Sequence, residues 1–337
     1  FFKRGCFSLR SALLFGYYGY GNLGDELLCE SALDILGRTF DKIYILVPKH
    51  KIEDYTKKGV EPVNRFDFIS IFTAILHSKV VVCGGGGIFQ DQTSLRSFLY
   101  YASIVIVSTL FRKPVVLLAN SLGPVKRKFS RKILRYILSR KNVYFIARDP
   151  VSARYGKLMS QNIFEGTDLA IKSLSKLPLE VKKSSQVSFC LKEEINLSNI
   201  LSFLKNIGLK RFLLVPMSPQ DEKVCVKLME KYPELEFSKK PLEAITCSSL
   251  VISQRMHGSL IAAYYGIPFV SVDNSKASRF MKKYLPDYPG YTSKADTNII
   301  TAISKVINMP VSVDKKMLED AKEMEEKLIK LIRNLQR

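Results

Sequence analysis

Arg255 and His257 stand two positions apart in L-V-I-S-Q-R-M-H-G-S-L-I-A-A-Y-Y-G-I-P-F-V-S-V-D-N-S-K-A-S-R, residues 250–279. A guanidinium grips a carboxylate or phosphate through two parallel hydrogen bonds, and an imidazole is the side chain best suited to move a proton near neutral pH. The chain has three histidines, and His257 is the one best placed for that work. Lys276, later in the same stretch, adds a second cation.

The surrounding residues say how these groups are held. Leu250–Ser253 reads as a short apolar strand, and Ser259–Tyr265 as a small-residue helix stopped by Gly266 and Pro268. Ile267–Val272 reads as a second strand. This order puts Arg255 and His257 at a helix N-terminus on the carboxyl edge of a parallel sheet, where amide dipoles favour an anion and open α/β folds bind ligands. Lys276 follows on a parallel loop and can reach the same crevice. A plainer reading has equal standing on spacing alone: the Arg-x-His caps the helix and pairs with a neighbouring acid.

Two glycine-rich turns come earlier. Ser11–Phe15 reads as a strand entering Gly16-Tyr17-Tyr18-Gly19-Tyr20-Gly21-Asn22-Leu23-Gly24-Asp25-Glu26, with an apolar-periodic helix through Leu36. Gly19, Gly21 and Gly24 fit the G-x-G-x-x-G spacing that lets a backbone approach a pyrophosphate. That fingerprint also wants an acid at the end of the second strand, and Ile43–Val47 runs instead into Pro48, Lys49 and His50, which speaks against a nicotinamide site. Asn22, Asp25 and Glu26 are polar handles for a ligand or, equally, ordinary first-turn helix residues. Farther on, strand Val80–Cys83 leads into Gly84-Gly85-Gly86-Gly87 and then Ile88-Phe89-Gln90-Asp91. Four glycines cost chain entropy, so they predict a compact loop hugging a ligand, or a close approach of two helices. Strand Val115–Ala119 ends in Asn120-Ser121-Leu122-Gly123-Pro124, and strand Val143–Ala147 delivers Arg148-Asp149-Pro150 to the same edge. Arg148 there either binds an anion or pairs with a carboxylate.

Composition bounds the rest. At 337 residues two domains are expected, and 47% apolar with 25% charged residues is a globular balance. The formal charge of +21 draws polyanions, an anionic bilayer or phosphorylated substrates. Six cysteines (6, 29, 83, 190, 225, 247) show no C-x-x-C and no histidine pairing, which disfavours zinc and disulfide frameworks and suits a reducing compartment. Phe1–Arg10 lacks the pattern of a secretory signal, and the longest apolar run, Phe98–Phe111, is shorter than the ~20 residues that span a bilayer. The expected location is cytoplasmic, with peripheral contact at the inner face of the membrane. That contact would run through a basic amphipathic helix at 126–141, where Lys126, Arg127, Lys128, Arg131, Lys132 and Arg135 interleave with apolar residues.

Strands and helices alternate in two series joined by a polar, Lys-rich stretch, Ser173–Gln186, punctuated by Pro178. The fold class expected is α/β, two doubly wound Rossmann-like domains facing a cleft. The expected domains are residues 1–178, carrying the glycine loops and the acceptor side, and 179–312, carrying the Arg-x-His site and the donor side. Residues 313–337 form an amphipathic helix that can cross back to the first domain.

Taken in order, these motifs resemble the polysaccharide pyruvyl transferase family, within it the bacterial cell-wall type called CsaB. The resemblance spans about residues 11–280 and rests on the 16–26 loop, the 84–87 glycines with Gln90-Asp91, Ser121-Leu122-Gly123-Pro124, Arg148-Asp149, Arg255-Met256-His257 with Gly266-Ile267-Pro268, and Lys276. The family commonly has Arg-Leu-His where Met256 stands here, and Gly-Gln-Gly or a similar triplet at 121–123. The resemblance implies a fold like that of the GT-B glycosyltransferases. It also implies metal-free transfer of pyruvate from phosphoenolpyruvate to two sugar hydroxyls as a cyclic ketal, on a cell-wall or capsular glycan built on a polyprenyl diphosphate. By that resemblance His257, Lys276 and Arg148 carry catalysis, while Arg255, Met256, Gly258, Asn22, Asp25, Glu26, Gly85, Gly86 and Gln90 bind substrate. Two other readings compete: a nucleotide-sugar glycosyltransferase on the same fold, and a non-catalytic basic protein for nucleic acid or membrane. The glycine loops and the Arg-x-His weigh against the second, and no nucleic-acid partner is expected.

Overall fold

Continuous apolar runs bounded by glycine and proline fold here into parallel strands, buried on both faces by the helices that connect them. The computed structural model describes residues 10–177, 180–182 and 184–336. The reading of Phe1–Arg10, apart from Arg10 itself, and the expected linker break at Pro178 lie outside the described residues.

The first sheet contains β1 (Ser11–Phe15), β2 (Lys42–Val47), β3 (Glu61–Asn64), β4 (Val80–Phe89), β5 (Val115–Leu122), β6 (Val143–Ala147) and β7 (Ile163–Glu165). Its order is β3-β2-β1-β4-β5-β6-β7, parallel throughout. The helices between them are α1 (Leu23–Gly37), α2 (Ile52–Thr56), α3 (Phe68–His77), α4 (Leu95–Leu110), α5 (Lys128–Leu138) and α6 (Pro150–Lys157), with α7 (Ala170–Leu174) after β7. The second sheet contains β8 (Gln186–Cys190), β9 (Arg211–Leu214), β10 (Leu235–Phe237), β11 (Leu250–Ser253), β12 (Phe269–Val272) and β13 (Tyr291–Thr292), in the parallel order β10-β9-β8-β11-β12-β13. Its helices are α8 (Ser198–Asn206), α9 (Pro219–Lys231), α10 (Pro241–Thr246), α11 (Met256–Tyr264), α12 (Ser275–Met281) and α13 (Asp296–Val306), and α14 (Asp314–Leu335) closes the chain.

Both sheets are doubly wound, the α/β class expected from the alternation. In each, the order reverses between two central strands, β1 and β4 in one and β8 and β11 in the other, where the ends of neighbouring strands diverge and ligands bind in such folds. The glycine loop after β1 and the Arg-x-His after β11 both sit at such a point.

The chain divides into two compact units. The first runs through Tyr20, then Asp25–Ser173 and from Asp320 on; the second is Leu174–Glu319 together with Gly21–Gly24. The last part of α14 therefore belongs with the first unit. There Met324 accepts the Thr167 N–H through its Sδ at 3.3 Å, Arg38 meets Glu325 at 2.8 Å, and Lys172 bridges Glu325 and Asp34. Its buried stripe, Met317, Ala321, Met324, Leu328 and Ile332, recurs at helical spacing.

The glycine run departs from expectation. Gly84–Gly87 is not a loop beyond the strand but part of it, because β4 continues to Phe89 with a register shift against β5 between Gly86 and Phe89. Gly85 and Gly86 have φ of 86° and 90°, which only glycine adopts without strain.

Candidate functional site

In the second unit, β11 ends at Ser253, whose hydroxyl accepts the Arg255 N–H at 3.0 Å and donates to the Arg255 carbonyl at 2.7 Å. This local turn swings the chain into α11, with Arg255 at the N-cap and His257 in the first turn rather than ahead of the helix. Gly258 lets α11 lie on the strands: a Cβ there would overlap the Ser253 hydroxyl and stand 3.2 Å from Cys190 Cβ. Met256 is buried and anchors the turn.

The Arg255 guanidinium donates through Nε to Asp221 Oδ2 at 3.0 Å, through Nη2 to Asp221 Oδ1, and to Ser218 Oγ at 3.2 Å. Asp221 is itself fixed, accepting the Met217 N–H at 3.1 Å, and is almost wholly buried. The pairing with an acid that the spacing allowed is thus present, and it orients the arginine. Nη1 remains outside that pair on a side chain that is 28% exposed, so a bound anion can still be met.

His257 has a close neighbour from far back in the chain. Leu23 N–H donates to the Met217 carbonyl at 2.8 Å, and Gly21 lies against Pro219, which seats residues 21–24 on the second unit. Gly24 then packs directly on the His257 imidazole, and a side chain at position 24 would collide with it. Asn22 closes this segment by accepting the Gly24 N–H at 3.1 Å. Asn22 therefore falls in the second unit, while Asp25 and Glu26 fall in the first.

Lys276 occupies the first turn of α12 instead of a loop. Asn274 caps that helix by accepting the Ala277 N–H at 3.0 Å, and donates to the Gln254 carbonyl at 2.9 Å. Gln254 in turn accepts the N–H groups of Lys192 and Glu193 at 2.9 and 3.1 Å. One hydrogen-bond chain thus ties the Lys276 helix to the turn holding Arg255. Beside α12 opens a cavity of about 510 Å³ lined by Ser271, Asp273, Asn274, Ser278, Tyr291 and Thr292, among others.

In the first unit the other candidates are largely occupied in shaping loops. Glu26 accepts the Gly19 N–H at 2.8 Å and the Tyr55 hydroxyl at 2.9 Å. Gln90 accepts the N–H groups of Gln92 and Thr93, closing its own turn. The carbonyls of Gly85 and Gly86 accept from Asn120 Nδ2 at 2.9 and 3.3 Å, and Asp25 Oδ1 would lie 3.6 Å from a Cβ on Gly86. Tyr18 donates to the Gly84 carbonyl, and burial pushes its hydroxyl pKa well up, so it stays a donor. Arg148 is 2% exposed, paired with Asp168 at 3.0 Å and donating to Ser121 Oγ at 2.9 Å. Of its two sequence readings, the carboxylate pair is the one observed.

Asp221, Ser218, Asn274 and Gln254 were not singled out from sequence; Asp221 carries the ordinary signal of a first-turn helix acid. Arg65, also missed, lies buried beneath the first glycine loop, within 6 Å of the Tyr20, Tyr100 and Tyr101 rings and bonded to the Tyr101 hydroxyl at 3.0 Å. Among the described residues, no group of three or more His, Cys, Asp or Glu side chains is gathered as a metal site would need. No helix among them is long and apolar enough to cross a membrane.

Two parallel doubly wound sheets, each with polar residues gathered at its switch point, define an α/β protein with a GT-B-like fold. The chain belongs to the polysaccharide pyruvyl transferase family, whose profile matches residues 22–276. Among solved structures it is similar to UDP-GlcNAc 2-epimerase from Methanocaldococcus jannaschii, with 12% identity, 96% of this chain and 99% of that one covered, and a TM-score of 0.62. Anabaena Alr3699/HepE in complex with UDP and glucose gives 10% identity, coverage of 96% and 100%, and a TM-score of 0.61. The Neisseria meningitidis UDP-GlcNAc 2-epimerase bound to UDP-GlcNAc gives 12% identity, coverage of 96% and 100%, and a TM-score of 0.60. Likeness at this identity concerns the fold alone. No curated protein sequence matches.

Proposed function

We propose that this protein moves pyruvate from phosphoenolpyruvate onto two hydroxyls of a cell-wall or capsular sugar, in the manner of the CsaB type, forming a cyclic ketal and releasing phosphate. The observation that carries the reading is the family match across residues 22–276, a span that takes in the Arg255 guanidinium oriented by Asp221 and His257 in the adjacent helical turn.

Phosphoenolpyruvate presents a carboxylate and a phosphate, which suits Arg255, Lys276 and the amides at the start of α11. Protonation of its methylene carbon generates an oxocarbenium-like centre at C2. One sugar hydroxyl attacks C2, the C2–O bond to phosphate breaks, and the second hydroxyl closes the ring. Of the two hydroxyl protons, one is balanced by the proton gained at the methyl group and one leaves with phosphate. His257 is assigned to proton transfer, and Lys276 to stabilising the departing phosphate charge. Arg148, buried against Asp168, acts in this reading by holding the Ser121 end of β5 in place. Asn22, Asp25, Glu26 and Gln90 shape the turns, and Gly85 and Gly86 the end of β4, that are assigned to the sugar, and the polyprenyl diphosphate carrier supplies the acceptor. No metal is required, so activity should survive chelation by EDTA.

The test is phosphate release from phosphoenolpyruvate with lipid-linked or synthetic glycosides, with products weighed by mass spectrometry. His257→Ala should abolish release with the fold intact, and Arg255→Ala should abolish it in a protein that is folded but less stable; full activity in either refutes the assignment. The same architecture serves nucleotide-sugar enzymes, so thermal stabilisation by a nucleoside diphosphate sugar and none by phosphoenolpyruvate would favour glycosyl transfer instead.

A further inference from the structure

The helices α3, α4 and α5 send their inner sides into one core cluster under the first sheet, through Ile71, Ala74 and Ile75, Phe98 and Val105, and Leu134, Ile137 and Leu138. Their outer sides are unusual. α3, F-I-S-I-F-T-A-I-L-H, is apolar almost all round, a composition that normally means burial on every side. Yet Phe68 is 74% and Ile69 81% exposed, with Phe66, Phe72 and Leu76 also at the surface. The patch continues across α4: the exposed Phe72 and Phe111 rings meet edge to face at 5.1 Å, and Leu110 stands beside them in sequence, itself exposed. α4 packs against α5, whose outer side carries exposed Phe129 and Tyr136 among Lys128, Arg131, Lys132 and Arg135.

The charge is as lopsided as the hydropathy. From Phe68 to Lys141 the sequence has 12 Lys and Arg and a single acid, Asp91. Asp91 is buried and taken up by the N–H groups of Lys126 and Arg127 at 2.7 and 2.9 Å. Asp67, just before α3, is likewise committed, accepting the N–H and hydroxyl of Ser70 as the helix cap. No outward carboxylate along this stretch opposes the cations.

We propose that the α3–α4–α5 face docks on an anionic lipid bilayer. Exposed Phe, Ile and Leu enter the headgroup and acyl boundary while the neighbouring Lys and Arg neutralise lipid phosphates, the two requirements of stable interfacial binding. A self-associating surface would need carboxylates to meet these cations, and the outer side of these helices offers none. A zwitterionic bilayer would leave the cations without partners. The surface is independent of the residues assigned to pyruvyl transfer, and its placement suits an enzyme whose acceptor is lipid-carried.

The test uses the full chain and co-sedimentation with vesicles of phosphatidylcholine alone or with about one third phosphatidylglycerol. Expected is partition onto the anionic vesicles only, weakened when NaCl is raised from ~0.1 to ~0.5 M. The double variants Phe68→Ser/Ile69→Ser and Arg131→Glu/Lys132→Glu each lower partition about tenfold or more, the first through the apolar and the second through the charged contribution. All four positions are exposed, so melting temperature and turnover on a soluble, short-chain acceptor should match the parent protein, separating a docking defect from a catalytic one. Equal partition onto both vesicle types, undiminished partition by both variants, or no partition at all overturns the proposal. So does a dimer in light scattering that Phe68→Ser/Ile69→Ser dissociates without affecting vesicles, since a second copy would then cover the face.

Discussion

Gly24 lies so close to the His257 imidazole that a methyl group at position 24 would occupy the ring's own space. The two residues are far apart in sequence, and their meeting is secured by the bond from Leu23 N–H to the Met217 carbonyl. The glycine is thus demanded by the neighbour it touches, in contrast to Gly19 and Gly21, which have φ of 78° and 70°. Gly24→Ala should displace the imidazole and lower phosphoenolpyruvate-dependent turnover about 10²-fold, as misplacement by ~1 Å does in active sites. Unchanged turnover in that variant would remove His257 from the mechanism or show that the ring is free to move.

Arg255 and Asp221 form the next expectation. Asp221 is 1% exposed at its side chain, so removing its partner strands a buried carboxylate. Arg255→Ala should therefore lose stability, by about 2–3 kcal/mol given the partial exposure of the arginine, as well as activity. Asp221→Asn keeps the shape and weakens only the charge contact, and should raise KM for phosphoenolpyruvate more than it lowers kcat by leaving the guanidinium loosely aimed. Urea denaturation and steady-state kinetics on the pair separate the two effects; a stable and fully active Asp221→Asn would mean that the aim of Arg255 does not matter.

The strand–helix alternation, the two-sheet class and the turn after β11 were legible because each depends on local pattern: apolar runs for buried parallel strands, Gly266 and Pro268 for a helix stop. Short edge elements such as β3, β7, β10 and β13 were not seen, since two to four residues carry too little periodicity. In sequence the glycine run reads as a loop, because pairing with β5, which draws Gly84–Gly87 into β4, is a long-range property. The grip of Asp221 on Arg255 was hidden for the same reason: nothing in the spacing of an acid in α9 and an arginine after β11 says that the two helices start side by side. The apolar outer side of α3 was overlooked because its pattern fits a buried helix, and exposure is known only once its neighbours are placed.

Arg148 and Asp168 are both buried, at 2% and 0% side-chain exposure, and face each other at 3.0 Å. Asp168 also accepts the Ala170 N–H at 2.8 Å, which starts α7. Arg148→Met should cost about 3–5 kcal/mol in urea unfolding, because the buried carboxylate loses its counter-charge, while Arg148→Met combined with Asp168→Asn should recover part of that loss. A direct anion-binding role with no structural share predicts instead a variant of parental stability that has lost activity.

Asp91 supplies a pH signature. Burial acts to raise its carboxyl pKa, but the N–H groups of Lys126 and Arg127, the Ser130 hydroxyl and the Arg127 charge outweigh it and hold the group below the ordinary carboxylate value. A carboxyl with a folded pKa below its unfolded value of about 3.9 binds fewer protons in the native state, so its contribution is complete above that value and fades as pH falls through the lower folded pKa. The parent protein should therefore exceed Asp91→Asn in unfolding free energy at pH 7, with the gap narrowing below about pH 4 as the unfolded chain takes up its proton. A gap that stays constant across that range would mean that the carboxylate charge is not what secures the start of the basic helix.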